Sequence, residues 1–257
     1  FTVSCAGGVR VICNVPVETT EINDNMKALN VEVYGLKGGH SGIDIGRPHL
    51  NGIAVLGEIL NAIPCEYGIF EISTGDKLNV IPQGAGAKIV VPPQMKDLVR
   101  ESIQKAVKEL SDKNAKIEPD FGVKVTGTAI GRGCTTHESS MVIARVLQEM
   151  PDSVQTMNGD AVESSLNMGM AILEDSLTIG TMLRSNLEAE KGNMVTKIRE
   201  LIEPLNGTVV CEADYPSWEY REDSPLRDAM IEIYRDMFGV TPKIESIHAG
   251  LECGLFA

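Results

Sequence analysis

The sequence of 257 residues lacks several features that would assign a protein to a class directly. No apolar run approaches the roughly twenty residues that a membrane-spanning helix needs, and no charged segment followed by an apolar one stands at the start. No cluster of lysine and arginine interrupts the formal net charge of -13, which argues against binding to a phosphate backbone. The sequence therefore predicts a globular, cytoplasmic protein that has neither a membrane nor a nucleic acid as partner.

Cysteine and histidine occur without the spacings that metal sites use. The six cysteines form no Cys-x-x-Cys pair, and a chain of this size folds without disulfides, so we expect reduced thiols. Neither His-x-Asp nor His-Glu-x-x-His is present. The adjacent Glu174 and Asp175 fall at the tip of a predicted hairpin, where a solvated turn explains them. We therefore expect no metal site within this chain alone.

Apolar residues recur in an order that predicts an α+β fold with an internal repeat. From about 27 to 128 the order is strand, helix, strand, strand, helix, strand, and it recurs after roughly ninety residues. The segment 121–128 is predicted to close the first unit and to open the second. Two tandem βαββαβ (ferredoxin-like) units, about 27–115 and 116–213, are expected to form an antiparallel sheet with helices on one face.

Two helices carry recognisable start signals. Pro48 suits the first turn of a helix that is predicted to run to Ile63. Near the end of the chain, Ser224 is a candidate N-cap, Pro225 suits the first helical position and Gly239 suits a helix end. Because the strand pattern stops before this last helix, a different domain is expected from about 216 onward.

A glycine-rich loop around His40 is the first candidate for chemistry. The run Gly38-Gly39-His40-Ser41-Gly42 follows a strand, and its glycines let the backbone approach a ligand closely. His248 stands on a similar glycine-bracketed loop, whereas a helix start and a capping box explain His49 and His137. The alternative for His40 is an incidental residue in a glycine-rich turn, since short glycine motifs are weak evidence.

Two further residues have side chains suited to binding a carboxylate. Arg184 offers a two-pronged guanidinium and Asn79 offers an amide, and both fall at predicted strand ends or loops. Considered alone, each is better explained structurally, Asn79 as a turn former and Arg184 as a surface residue on a strand.

Five motifs in order carry a resemblance that covers essentially the whole chain. They are Gly38–Gly42, Leu78–Pro82, Ser164–Gly169, Leu183–Ser185 and His248–Gly254. Together they resemble the bacterial aminoacyl-histidine dipeptidases, also called Xaa-His or cytosol non-specific dipeptidases. That family is related to carnosinase in a superfamily of dizinc peptidases and aminoacylases.

The resemblance implies that most of this chain is the lid of a longer zinc metallodipeptidase. Residues 1–22 would end the first half of an α/β zinc-peptidase domain and form the hinge, 23–215 would be the lid, and 216–257 would return partly into the peptidase domain. The two zinc ions of the parent enzyme would then be held by residues outside this chain. Truncation would explain the missing ligand motifs, and the chain alone is expected to be inactive.

The resemblance also gives roles to the candidate residues. His40 would stabilise the oxyanion of the tetrahedral intermediate. Asn79 and Arg184 would hold the C-terminal carboxylate of the substrate, and the loop with His248, Gly250 and Glu252 would line the pocket. The implied partners are a dipeptide such as Xaa-His and the rest of the peptidase domain, and a homodimer is allowed. Because a lid with two units can supply both the histidine and the asparagine from one chain, dimerisation need not serve catalysis.

Two alternatives stay open from the sequence. The nearer one is the lid of a related amidohydrolase, such as an aminoacylase or a deacylase, because the lid motifs do not determine which acyl group the enzyme removes. The more distant one is a βαββαβ binding or dimerisation module without catalysis.

Overall fold

The computed structural model describes residues 1–23, 25–75 and 77–257. Asp24 and Asp76, both within the predicted lid of residues 23–215, lie outside the described residues. The α+β prediction is confirmed: the described part contains five α-helices and several antiparallel sheets. No helix in these ranges is long and apolar enough to cross a membrane.

The strands of the described ranges are, in chain order, β1 (Thr2–Cys5), β2 (Gly7–Pro16), β3 (Thr19–Glu21), β4 (Lys27–Tyr34), β5 (Gly39–His40), β6 (Gly68–Ser73), β7 (Val80–Ile81), β8 (Ala85–Val91), β9 (Gly122–Gly127), β10 (Gly133–Thr135), β11 (Ser153–Asn158), β12 (Ala161–Leu173), β13 (Ser176–Ser185), β14 (Thr208–Tyr215) and β15 (Glu245–Ile247). The helices are α1 (Gly52–Asn61), α2 (Lys96–Asn114), α3 (His137–Glu149), α4 (Glu188–Ile202) and α5 (Pro225–Phe238).

The first large sheet has four strands in the order β6-β8-β4-β9, and each neighbouring pair is antiparallel. Apart from the short β5 and β7, its strands and the helices α1 and α2 follow the chain order predicted for the first unit. The buried residues of α1 include Ile53, Leu56 and Leu60, which form the predicted apolar stripe. The helix begins at Gly52 with Asn51 as its N-cap, so the predicted start at Pro48 is wrong.

The second large sheet has five strands in the order β11-β12-β13-β2-β14, all antiparallel. The prediction that 121–128 opens the second unit is wrong, because β9 pairs with β4 in the first sheet. In the second sheet, the position expected for the 121–128 strand is occupied by β2, which lies between β13 and β14. The sequence assigned β2, within residues 1–22, to a preceding domain. The repeat therefore uses two separate sheets, and a tandem order of the units is not confirmed.

The pattern of β2 explains why it belongs in a sheet interior. From Val9 to Val15 its odd-numbered residues are buried and its even-numbered residues are more exposed, which is the period of a strand with one face on the core. The buried Val9, Val11, Cys13 and Val15 join one hydrophobic core that extends across both sheets and α1 to α4. The six cysteines of the chain are all free thiols.

The two sheets meet where α1 packs on α3 and where β6 runs beside β12. Gly57 allows the close helix contact, since a Cβ there would lie 2.6 Å from the backbone nitrogen of Gln148. Next to β6, Thr74 Oγ1 donates to the carbonyl of Ala171 and accepts from its N–H, both at 2.9 Å. These contacts fix the two sheets side by side.

The last part of the chain returns beside the first strand. β15 pairs with β1 in parallel, and α5 precedes it. The predicted signals of α5 are confirmed: Ser224 caps it through the N–H of Arg227, Pro225 is its first residue, and Gly239 ends it with a φ of 70°.

Candidate functional site

A tight loop after β4 presents His40 on the short strand β5, which pairs with β7. His40 lies opposite Val80 in the antiparallel pair of β5 and β7. Its backbone N–H donates to Asp44 Oδ2 at 2.9 Å. The preceding Gly39 has a φ of 143°, and a Cβ there would lie 2.8 Å from the Cβ of Asp44. Only glycine fits this position without strain, which explains the glycine before the histidine.

The imidazole of His40 has a defined orientation and tautomer. Its Nδ1 accepts the backbone N–H groups of Gly42 at 3.0 Å and Ile43 at 3.2 Å. A ring nitrogen that accepts these bonds carries no proton, so the ring proton is on Nε2. The loop therefore holds His40 as a donor through Nε2–H.

A buried carboxylate anchors both ends of the His40 loop. Glu118 is 1% exposed, and its Oε2 accepts the N–H of Lys37 at 2.8 Å. Its Oε1 accepts the N–H of Leu50 at 3.0 Å. Because one rigid side chain ties the residues before and after the loop, it restricts the motion of the imidazole between them.

Arg184 lies near the end of β13 and is only 6% exposed. This burial excludes the alternative of a surface arginine. Its Nη1 donates to the hydroxyl of Tyr215 at 2.8 Å, while its Nε is buried without an acceptor in the described ranges. None of the ion pairs among the described residues involves Arg184. A buried guanidinium without a carboxylate is unfavourable unless an anion compensates it.

Tyr215, the partner of Arg184, is fixed from its backbone side. Lys191 Nζ donates to the carbonyl of Tyr215 at 3.1 Å and forms ion pairs with Asp214 at 2.6 Å and Glu188 at 2.8 Å. Burial lowers the pKa of Lys191, but the hydrogen bonds from its ammonium to Asp214 and Glu188 outweigh this and raise the pKa. Lys191 therefore stays charged and holds the end of β14 against α4.

His248 lies beside Arg184 as a neutral residue. Its Nε2 is 2.7 Å from the hydroxyl oxygen of Ser165, which is 1% exposed. Burial, followed by the charge of Arg184, lowers the pKa of His248 to about 4, against a smaller opposing effect of the Val162 backbone. At neutral pH the positive charge of this part of the site therefore comes from Arg184.

Three of the predicted residues, His40, Arg184 and His248, meet at Gly42. A Cβ at Gly42 would lie 2.8 Å from the carbonyl oxygen of His248, 3.2 Å from Arg184 Nε and 3.2 Å from His40 Cε1. His40, Arg184, Gly250 and Glu252 line one open cleft of about 450 Å³. The cleft thus combines a loop of the first sheet, a strand of the second and the loop after β15.

Asn79 lies next to this cleft rather than in its lining. Its backbone carbonyl accepts the N–H of Ser41 at 3.0 Å, and the residue is exposed. Asn167, buried in β12, donates through Nδ2 to the carbonyls of Leu78 at 2.8 Å and Val80 at 2.9 Å. The second sheet thereby holds the loop that carries Asn79 beside His40.

Chemically, the cleft can bind an anion and donate one hydrogen bond to a nearby oxygen. The guanidinium of Arg184 suits a carboxylate, and the Nε2–H of His40 suits a carbonyl oxygen that gains charge. Within residues 1–23, 25–75 and 77–257, no group of three or more His, Cys, Asp or Glu residues could hold a metal ion.

Sequence reasoning missed several residues that shape the site. Ser165 and Asn167 belong to the Ser164–Gly169 motif, but no role was predicted for them. Buried polar residues in an apolar strand indicate specific contacts. Tyr215 is the last residue of the predicted lid, and the sequence predicted no role for it. Glu118 gave no local signal, because its partners are backbone groups distant in sequence. Lys191 has a local partner in Glu188, three residues earlier, but its contacts with Asp214 and with the carbonyl of Tyr215 join residues far apart in the chain.

Comparison with known proteins gives this geometry a context. No protein-family model matches the chain. Among curated proteins, the cytosol non-specific dipeptidase of Escherichia coli (strain K12) is 28% identical over an alignment of 259 residues, which is 98% of this chain and 53% of that protein. The crystal structure of aminoacylhistidine dipeptidase from Vibrio alginolyticus superposes with a TM-score of 0.92 at 26% identity, over 99% of this chain and 53% of the other.

This chain is a homologue of the aminoacylhistidine dipeptidases. The resemblance based on the five motifs is therefore confirmed. The chain spans about half the length of the dipeptidases that it matches. The aminopeptidase PepT from Bacillus cereus aligns with a TM-score of 0.33 and 8% identity, which is too distant to add to the comparison with the dipeptidases.

Proposed function

We propose that this chain is the lid-bearing part of a metallodipeptidase that hydrolyses Xaa-His and other short dipeptides. The observation that carries the proposal is the buried guanidinium of Arg184, which has no carboxylate partner in the described residues and lines a cleft with His40. Its charge requires an anionic partner, and the C-terminal carboxylate of a dipeptide offers two oxygens for it. Homology to dipeptidases over about half their length favours this anion over others.

His40 would act on the bond that is cleaved. With Nδ1 occupied by two backbone N–H groups, Nε2–H is available to donate to the oxygen that becomes negatively charged in the transition state. The donor is neutral and preorganised, so it needs no reorganisation during the reaction. Asn79, whose backbone carbonyl accepts the N–H of Ser41 next to His40, would add an amide contact to the substrate.

The lid would consist of two nested ferredoxin-like units rather than tandem ones. The first unit has the strand order β9-β4-β8-β6 and the second has β14-β2-β13-β12. When the strands of each unit are numbered along the chain, the two orders are the same. The first unit would then be inserted after β2, the first strand of the second unit. In this arrangement the lid begins at β2 and ends at β14, and the site residues of both units come from one chain.

The remaining segments would belong to a peptidase domain completed by residues outside this chain. The helix α5 exposes Leu226, Ile233 and Met237 by 73%, 57% and 69%, and an apolar helix face of this kind supports a covering partner. The two zinc ions implied by the resemblance do not fit the described residues, so their ligands would also lie in that missing part. A cytoplasmic location, as in the name of the Escherichia coli relative, is part of the proposal.

The proposal is tested on the full-length protein that carries this chain. L-alanyl-L-histidine should be hydrolysed, whereas its C-terminal amide should react far more slowly, because Arg184 then lacks its anion. N-acetyl-L-histidine separates the related amidohydrolases: preferential cleavage of that compound would replace the dipeptidase assignment by an aminoacylase. Hydrolysis of none of the three by the metal-loaded protein would favour a binding module.

A further inference from the structure

We propose that Tyr215 is a substrate-binding residue, whose hydroxyl donates to the same carboxylate that Arg184 binds. This inference rests on the proposed function and adds a second donor to its anion site. Tyr215 and Arg184 both line the cleft that also contains His40. No motif in the sequence pointed to this tyrosine.

The sheet is built so that Tyr215 reaches Arg184 across an intervening strand. Arg184 of β13 and Tyr215 of β14 both lie opposite Gly8 of β2, so the three residues form one cross-strand row. A Cβ on Gly8 would lie 2.6 Å from Cζ of the Tyr215 ring. Because Gly8 has no side chain, the phenol lies over β2 and its hydroxyl accepts from Arg184 Nη1 at 2.8 Å.

The other side of the ring is covered by the loop that lines the cleft. A Cβ on Gly250 would lie 2.5 Å from Cε2 of Tyr215, so this glycine also leaves room for the ring. Lys191 holds the backbone carbonyl of Tyr215 at 3.1 Å. Two glycines and one ammonium thus fix both the ring and the backbone, which places the hydroxyl with little conformational freedom.

The direction of the hydrogen bond leaves the tyrosine proton free. A phenol has one proton to donate and accepts through its oxygen, and a guanidinium only donates. Arg184 therefore occupies an acceptor position of Tyr215, and in the described ranges no acceptor takes the proton of that hydroxyl. A carboxylate that binds Arg184 at this place offers a second oxygen, to which the O–H can donate.

The test uses the full-length protein and the binding of L-histidine, the product that keeps the carboxylate, measured by isothermal titration calorimetry. L-Histidinamide has the same ring and amine but no carboxylate. In Tyr215→Phe, affinity for L-histidine should fall about 10- to 100-fold, the range for a hydrogen bond to a charged group, while affinity for the amide should hardly change.

Tyr34→Phe is the matched control. Tyr34 also lies over a cross-strand glycine, since a Cβ on Gly122 would be 2.6 Å from its hydroxyl, but it is 49% exposed and outside the cleft. This variant should bind both compounds as the unmodified protein does. The inference would be overturned if Tyr215→Phe lost affinity equally for both compounds or lost affinity for neither. It would also be overturned if the unmodified protein did not bind L-histidine.

Hydrolysis of L-alanyl-L-histidine is measured on the same samples. If the unmodified protein binds L-histidine through Tyr215 but cleaves no dipeptide, the proposed function fails and the carboxylate site stands. If it cleaves dipeptides and Tyr215→Phe binds L-histidine normally, the inference fails and the proposed function stands.

Discussion

Asn167 holds the loop of Asn79 by donating from one amide nitrogen to the carbonyls on both sides of it, at 2.8 and 2.9 Å. Asn167→Asp keeps the size of the side chain but replaces the donor by an acceptor that faces two carbonyl oxygens. We expect the free energy of unfolding to fall by about 1–3 kcal/mol, measured by urea denaturation. The kcat/KM for dipeptides should fall as well, because the loop beside His40 loses its position.

Asn158→Asp is the control for this change, because Asn158 is an exposed residue in the hairpin between β11 and β12. It should leave both quantities within the error of measurement. An Asn167→Asp protein as stable and active as the unmodified one would show that the two hydrogen bonds do not hold the loop.

Glu118 should position His40 through the backbone at Lys37 and Leu50. In Glu118→Gln, one carboxylate oxygen becomes an NH₂ group that faces a backbone N–H, so one of the two anchoring bonds is lost. The expected cost is about 1–3 kcal/mol of folding free energy, with a lower kcat at an unchanged metal content of the full-length protein. Glu149→Gln, at the exposed end of α3, is the comparison variant. A normal kcat in Glu118→Gln would rule out this positioning role.

Asp152 should make the protein less stable as pH rises. Burial raises its pKa from 3.8 to about 6, although the Met168 N–H, the charge of His49 and the Asn51 amide oppose this. Since its pKa is higher in the folded state, the folded protein binds more protons between about pH 4 and 6, and this contribution to stability is lost as pH rises through that window.

Asp152→Asn removes the charge, and its side-chain oxygen can still accept from Asn51 and Met168. The variant should gain about 1–2 kcal/mol relative to the unmodified protein between pH 4.5 and 7.5, measured by urea unfolding. His248 has the opposite effect in this window, because its lowered pKa makes stability rise with pH, but it is present in both proteins and cancels. A stability difference independent of pH would contradict the raised pKa.

The sequence predicted the α+β class, the strands of the first sheet and the homology, because these depend on local periodicity and on motifs. It did not predict that β2 enters the second sheet, since pairing of Gly7–Pro16 with β13 and β14 joins residues far apart in the chain. Proline preference alone predicts a helix start at Pro48, but the helix begins later, at Gly52, where the Asn51 side chain caps it.

The sequence predicted the side chains that face the candidate site better than the residues that hold those side chains in place. Glycine-rich loops indicated His40 and the His248 segment, and the structure brings both to Gly42 beside Arg184. Tyr215, Glu118 and Lys191 act through partners that only the fold brings near, such as the carbonyl of Tyr215 for Lys191. No local spacing encodes contacts of this kind.

His40→Ala should lower kcat of the full-length enzyme by roughly 10²–10³, the effect of removing one donor to an oxyanion. Its metal content, measured by elemental analysis, should not change, because the proposal makes His40 a hydrogen-bond donor. Loss of metal along with activity would instead make His40 a ligand. An unchanged kcat would mean that His40 is only a turn residue of the Gly38–Gly42 loop.

The most direct measurement compares Arg184→Lys with the unmodified full-length enzyme on a dipeptide and on its C-terminal amide. Lysine keeps the charge but cannot reproduce the two-pronged contact. We expect kcat/KM for L-alanyl-L-histidine to fall by about 10- to 100-fold, whereas kcat/KM for the amide, which lacks the carboxylate, should hardly change. An equal loss on both substrates would mean that Arg184 is a structural residue of β13 and that the peptide carboxylate is bound elsewhere.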